Sequence, residues 1–275
     1  MSKVWADIVV AAARAITAPQ NARQRGKTLA RAANKLQQAL ASSVETERGT
    51  LRFLSGRGAA TASSVVRYTT DEPETLRWID ERFEPGDTAW DIGAGIGLYA
   101  LYMALGGTKV VAFEPSGLNY GLLVEHIALN RLGDRVVPCC IALGRTTKLD
   151  VLHFSQYDPG TSGNALGEAR TQQRDTFDPV FSQGVPAMTG DHFREVFATR
   201  PPDHLKIDVD GIEGDILRGM TNLLPSAKSV LIETEGSNAE FADTVIEPPL
   251  KAAGLHEDGA WRNLGSGRNR LFVRS

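Results

Sequence analysis

Only two cysteines occur in the 275 residues, Cys139 and Cys140, and they are adjacent. Neighbouring Cα atoms lie too close for ordinary disulfide geometry. No Cys-x-x-Cys or Cys/His ligand spacing is present. A disulfide framework is therefore excluded, and a reducing, cytoplasmic compartment is the expectation. Both cysteines follow a strand-like run and read as core packing. Long apolar runs are also lacking: none approaches the ~20 residues of a membrane span. Val4 to Ile16 comes nearest to a signal core, but Asp7 and Arg14 interrupt it, so it reads as a helix. The five histidines, His126, His153, His192, His204 and His256, show no metal-ligand spacing and read as structural or surface groups. No Gly-x-Ser-x-Gly elbow exists to support a serine hydrolase. Acidic residues are scarce at the start. Residues 1–44 carry Lys3, Arg14, Arg23, Arg25, Lys27, Arg31 and Lys35 against Asp7 alone. That is a net +6, which leaves −9 for the rest of a chain of net charge −3. A solvated helix face explains this. So does an acidic partner such as a membrane surface or a nucleic acid.

What is present is ordinary globular material, 42% hydrophobic and 23% charged, enough for a substantial core. There is no internal repeat and no low-complexity tract. Two units are expected: a basic helical extension and connector over 1–70, and one α/β domain over 71–275. The extension reads as a helix broken near Pro19 and a second helix from Ala22 to Val44, on which Leu29, Ala33, Leu36 and Leu40 share a face. Residues 49–70 read as a connector with a short strand at Val65–Tyr68. Asp71 is the expected cap of a helix that starts at Pro73. From there the pattern is strand, glycine loop, helix, strand, helix, strand. Thr88–Ile92, Lys109–Phe113 and Arg135–Cys140 are the strands, and the helix after Ser116 closes at Gly133. That alternation means a parallel sheet. Further strands are expected at Lys148–Phe154, Phe177–Ala187, Asp203–Val209, Ser229–Glu233, Leu255–Arg262 and Asn269–Val273. Helices are expected from Thr189, over Ile212–Leu224, and over Asn238–Ala253.

Asp91-Ile92-Gly93-Ala94-Gly95-Ile96-Gly97 lies between a strand and a helix, where open α/β sheets bind ligands. Glycines let the backbone turn and approach a ligand, and the helix start offers free N–H groups. Glu114 ends the next strand, where a carboxylate can accept both hydroxyls of an adenosine ribose. A nicotinamide fingerprint fits in neither frame: Leu98 or Ala100 stands where its third glycine belongs. Asp91 instead suits a cationic amino-acid group. S-adenosylmethionine carries both an ammonium and an adenosine.

Leu205-Lys206-Ile207-Asp208-Val209-Asp210-Gly211-Ile212-Glu213 places four charges at a strand's C-terminal end. Burying them without function would be costly. Methyl transfer to oxygen requires removal of a hydroxyl proton. Asp208 is the first candidate base, and Lys206 could orient a carboxylate or act on the hydroxyl electrostatically. Asp210 and Glu213 are candidates for binding substrate hydroxyls or for capping the next helix. Asp208 with Glu233 or Glu235 could hold magnesium, but no metal is assigned.

These segments resemble the FkbM-type methyltransferase family. The match lies in Asp91–Gly97, in Phe113-Glu114-Pro115-Ser116 with Asn130 downstream, in Ala142-Leu143-Gly144, and in Lys206 to Glu213. Gly219 and the strand ending in Glu233 are also similar, so the resemblance covers about Asp71 to Gly236. It implies a class I methyltransferase fold, Rossmann-like and doubly wound, with a mostly parallel seven-stranded sheet. It implies S-adenosylmethionine as donor and, usually, a hydroxyl acceptor on glycans, glycolipids or natural products. Gly93, Ala94, Gly95 and Gly97 would take the methionine part and Glu114, followed by Pro115, the ribose. The segment Cys140–Leu143, with Ile141 and Ala142, would lie near the adenine. The family commonly has Glu at the position of Asp210; the shorter side chain keeps the charge and retracts it.

The leading expectation is a sugar O-methyltransferase of polysaccharide biosynthesis, with Tyr157, Ser162 and Asn164 of the 155–175 loop as candidate substrate contacts. The rivals are a natural-product O-methyltransferase and a non-catalytic S-adenosylmethionine-binding scaffold in a glycan-assembly complex. Nucleic acid is not expected as a partner, because the catalytic part is acidic and lacks an Asn-Pro-Pro-Tyr segment. The basic helices could cover the active site, dimerise, dock an anionic lipid-linked substrate, or touch a membrane peripherally.

Overall fold

The structure is a computed structural model that describes residues 2–171, 175–234, 239–262 and 264–274. The Ala-rich start forms α1 (Ser2–Thr17) and α2 (Ala22–Ala39), with the break near Pro19 as expected. Asn21 caps α2 by accepting from the Gln24 N–H at 3.0 Å. The helix expected to reach Val44 is corrected: β1 (Ser42–Thr46) pairs antiparallel with β2 (Gly49–Phe53). Burial decides this, because the hairpin drives Leu51 and Phe53 fully into the core.

The expected strand at Val65–Tyr68 is also corrected. Helix α3 (Ala59–Val66) is followed by the one-turn α4 (Tyr68–Asp71). Asp158, about a hundred residues away, accepts from the Ala59 and Ala60 N–H groups at 3.1 and 3.3 Å and so satisfies the start of α3. Helix α5 (Pro73–Arg82) begins on Pro73, but Asp71 does not cap it; Glu72 holds that position and its side chain does not bond the helix's first N–H groups.

Strands and helices then alternate: β3 (Thr88–Ile92), α6 (Leu98–Leu105), β4 (Lys109–Phe113), α7 (Gly117–Leu129) and β5 (Val136–Cys139). Ser116 caps α7, accepting from the Asn119 N–H at 3.4 Å. The helix closes at Asn130, ahead of the expected Gly133, with Arg131 in the left-handed region. Next come β6 (Ala142–Leu143), β7 (Lys148–Phe154), β8 (Ala165–Leu166) and β9 (Phe181–Met188), which build a side sheet in the order β6-β9-β7-β8. The chain continues through α8 (Gly190–Phe197), β10 (His204–Ile207), α9 (Glu213–Arg218) and β11 (Ser229–Glu233). The helix expected to run to Leu224 stops at Arg218. Finally α10 (Ala239–Phe241), a π-helical segment over Ala242–Ile246 and α11 (Glu247–Ala252) lead to β12 (Leu255–Glu257) and β13 (Asn269–Arg274). The first residue of the helix expected here, Asn238, lies outside the described residues.

Seven strands form the main sheet in the order β12-β13-β11-β10-β3-β4-β5. The pairs β11-β10, β10-β3, β3-β4 and β4-β5 are parallel, and β13 runs antiparallel to both neighbours. This is the doubly wound class I methyltransferase fold. All five residues of β3 are buried, as a central strand covered on both faces requires. One apolar layer gathers Phe53, Trp78, Leu101 and Leu123; the other gathers Trp90, Phe113, Phe193 and Leu217. The hairpin and α3 thus pack on the sheet itself. Strand order reverses between β3 and β10, which opens a crevice at their C-terminal ends.

Candidate active site

The loop after β3 is fastened before any ligand is considered. The N–H groups of Gly93 and Ala94 both donate to Phe113 O at 3.0 Å, and Asp208 N donates to Ile92 O at 3.0 Å. Gly93 has φ +84, and a Cβ there would meet Asp208 O at 1.9 Å, so only glycine lets β3 and β10 converge. Gly95 (φ +55) has nothing within 4 Å of its would-be Cβ. Its open side belongs to a cavity of about 490 Å³ that is also lined by Ala94, Glu114, Pro115, Ile141, Ala142 and Asp208. A volume in this range holds a drug-sized ligand.

Glu114 accepts from Gly95 N at 2.7 Å through Oε2 and from Ser116 N at 2.8 Å through Oε1. Each oxygen keeps a further lone pair, so the carboxylate can still take two hydroxyls. Burial pushes its carboxyl up to about 7, against the pull of those two N–H groups. The open face at Gly95 and the fixed carboxylate of Glu114 fit the methionine and ribose parts of S-adenosylmethionine. Asp91 is placed differently from the sequence expectation. It is buried behind the cavity wall, and both carboxylate oxygens lack a hydrogen bond among the described residues. Burial raises it to about 6, despite the facing Lys206. Gly97 stands away from the cavity too, tight against Leu123 at the start of α6.

Beyond the loop lies a charged cluster. Lys206 is 1% exposed, directly bonded to Asp208, 4.0 Å from Glu72, and 4.7 Å from the centre of the Tyr99 ring. Register sets it beside Asp91 on the neighbouring strand. Burial alone would discharge the ammonium, but Asp208, Glu72 and Asp91 hold it charged. Asp208 and Glu233 act on each other electrostatically across the cavity wall. Burial opposes the charge of Asp208, yet the Lys206 ammonium draws its carboxyl below the ordinary range. Glu233 is pushed far up, by burial first and by the Asp208 charge second. Of the two, Asp208 is the one favoured as the carboxylate and Glu233 as the acid. Arg268 completes the cluster, 3.2 Å from Glu72 and 3.4 Å from Glu233.

Asp210 accepts from Gly163 N at 2.8 Å and so ties the loop after β7 to the end of β10. The same loop is anchored by Asn119, whose Oδ1 accepts from Gly160 N at 2.7 Å and whose amide donates to Thr161 O at 3.2 Å. Ser162 and Asn164 line the cavity, and the buried Asn164 Oδ1 has no hydrogen bond among the described residues. Tyr157 is exposed, packs on Phe154 and Phe181, and does not line the cavity. Glu213 is buried, accepts from Gly211 N at 3.1 Å, and rises to about 7 through burial. It faces a second cavity of about 600 Å³.

Glu72, Tyr99 and Arg268 went unnoticed in the sequence, because nothing in their spacing links them to β10. Glu233 entered only as a metal ligand. Glu235 lies outside the described residues. Among the described residues, no group of three or more His, Cys, Asp or Glu is arranged to hold a metal. The histidines named as structural behave so where they are buried. His126 accepts from Leu54 N at 2.9 Å and faces Ile96 O at 2.8 Å, and His204 bridges Ser229 and Asp87. Both cysteines are free and half-buried, so they pack only partly in the core.

Comparison with known proteins agrees with this geometry. Residues 91–264 match the model of the methyltransferase FkbM domain. The hexuronic acid methyltransferase AglP of Haloferax volcanii is 27% identical over 169 residues, covering 61% of this chain and 64% of that protein. Methyltransferase sdnD of Sordaria araneosa is 31% identical over 154 residues, covering 47% and 59%. The chain thus spans less than two thirds of the length of either relative. An O-methyltransferase from Bacillus cereus, solved in complex with SAH, is 12% identical with a TM-score of 0.42 over 78% of this chain and 87% of that one. With a match across well over half of its length, the chain belongs to the FkbM methyltransferase family.

Proposed function

We propose that the protein is an S-adenosylmethionine-dependent O-methyltransferase acting on a sugar hydroxyl of a glycan, glycolipid or glycosylated metabolite. One observation carries the reading. The donor cavity and the second cavity share Leu166, Asp210, Ile212 and Glu233 as a common wall, with Asp208 at the donor side of the junction. Donor and acceptor can therefore meet beside the carboxylate pair. When bound, S-adenosylmethionine supplies an electrophilic methyl group.

The residues divide the remaining work. The Gly93–Gly95 backbone and Glu114 hold the donor, with Ile141 and Ala142 along the same cavity. Lys206 fixes the Asp208 carboxylate, which is placed to take the acceptor hydroxyl's proton. Lys206 is sealed from the cavity, so it acts through Asp208 as a positioning residue. Asp210 and Asn164 offer oxygen acceptors to substrate hydroxyls. Charged groups, among them Arg145, Lys148, Glu168 and Arg170, share the lining of the second cavity with apolar ones such as Leu166, Ile212 and Phe241, a mix that suits a sugar with its polar rim and apolar face. The relative that methylates hexuronic acid supports the same class.

The test is turnover with methyl-tritiated donor over a panel of uronic acid glycosides, neutral glycosides and apolar aglycones. Label in the glycosides, with release of S-adenosylhomocysteine, is the expected result. Transfer to aglycones alone would overturn the sugar acceptor and keep the chemistry. Tight donor binding with no turnover on any acceptor would favour a scaffold.

A further inference from the structure

Helix α1 carries Val4, Ile8, Val9, Ala12 and Ile16 on one side at helical spacing. A surface helix ordinarily turns such a stripe inward. Here the stripe faces water: Val4 is 62% and Ile16 76% exposed, and Ile8, Val9 and Ala12 are exposed as well. Helix α2 repeats the pattern. Leu36 and Leu40 lie exposed along one side with Ala33, and no residue of the helix is buried. The other side of α2 bears Arg23, Lys27, Arg31 and Lys35. No acidic residue occurs between Asp7 and Glu45. Neither helix is long and apolar enough to cross a membrane.

We propose that α1 and α2 dock the protein on an anionic lipid bilayer, lying in its interface. The apolar stripes would enter the acyl boundary while the cations reach lipid phosphates. This occupant satisfies both halves of the pattern. A second copy of the chain would set one strongly basic surface against another. A nucleic acid would engage the cations and leave the stripes in water. The proposal stands independently of the acceptor assigned above.

The test is co-sedimentation of the full chain with vesicles of phosphatidylcholine alone and of phosphatidylcholine mixed with phosphatidylglycerol. The chain pellets with the mixed vesicles, not with phosphatidylcholine alone, and added salt weakens the association. The combined variant Arg23→Gln, Lys27→Gln, Arg31→Gln, Lys35→Gln loses partition on the order of 10²-fold or more, since each cation near such a surface multiplies binding severalfold. The pair Ile8→Asp and Ile16→Asp also reduces it. Both variants keep wild-type affinity for S-adenosylhomocysteine, which shows that the site still folds. Absence of partition into mixed vesicles, or equal partition of the wild type and the uncharged variant, overturns the proposal. So does self-association through these helices with no vesicle binding.

Discussion

Lys206 sits among Asp208, Glu72 and Asp91 with almost no access to water. Removing one partner of a buried charge set leaves the others uncompensated. Lys206→Met should therefore cost about 3–5 kcal/mol of stability, measured by urea unfolding. A loss within error of zero would mean that water reaches the cluster. Asp208 is favoured as the carboxylate and Glu233 as the acid, and their variants separate the roles. Asp208→Asn should lower kcat by ~10²–10⁴-fold while calorimetry finds S-adenosylhomocysteine binding little changed. Unchanged turnover would remove Asp208 as the base. Glu233→Gln imitates the protonated member and should stay near wild-type at neutral pH. In the wild type, activity should fall at alkaline pH as Glu233 loses its proton beside an ionised Asp208. That alkaline limb should vanish in Glu233→Gln, and its persistence would assign it elsewhere.

The glycine loop joins β3 to α6, and its two inner glycines are there for different reasons. Gly93→Ala pushes a methyl group into the Asp208 carbonyl, so it should cost about 1–3 kcal/mol or more and abolish binding by prising β3 from β10. Gly95→Ala meets no protein atom and mainly fills donor space. The φ of +55 still strains an alanine, so the variant should lose about 1 kcal/mol, less than Gly93→Ala, and weaken S-adenosylhomocysteine strongly. Equal effects of the two on stability would contradict this division. The loop, Glu114 and the β10 charges were legible in sequence because each is local: glycines beside a strand end, or charges in one short run. What escaped depends on distant partners. Val65 and Val66 look like strand residues, but their helix is held by Asp158 from another loop. The β1-β2 hairpin followed an Ala-rich run whose helical period masked it, and only burial of Leu51 and Phe53 fixed its place. Glu72 and Arg268 meet at 3.2 Å from opposite ends of the domain, a contact that only the closed sheet creates.

Across the whole molecule, the ionisable groups pull stability in two directions with pH. Burial would raise Asp87, but Lys228 and the Glu84 N–H bring it to about 2, and Arg262 and Arg270 likewise outweigh burial to bring Glu257 to about 2. Their contribution is complete above the unfolded values and is lost as pH falls below about 4.5. Asp91 at about 6, and Glu114 and Glu213 at about 7, act oppositely. Between their unfolded and folded values the native state holds protons that the unfolded chain has released. Stability therefore declines as pH rises through that window. The ligand-free protein should melt highest near about pH 5 and less so at pH 8. S-adenosylhomocysteine should reverse part of this slope. Ribose hydroxyls donating to Glu114 favour its ionised form, so the ligand-induced rise in melting temperature should grow as pH increases through 7. Glu114→Gln removes the titrating group, and in that variant the ligand's effect should lose most of its dependence on pH around 7. A wild-type shift that is flat with pH, or one that shrinks toward pH 8, would show that Glu114 does not hold the ribose as an ionised carboxylate.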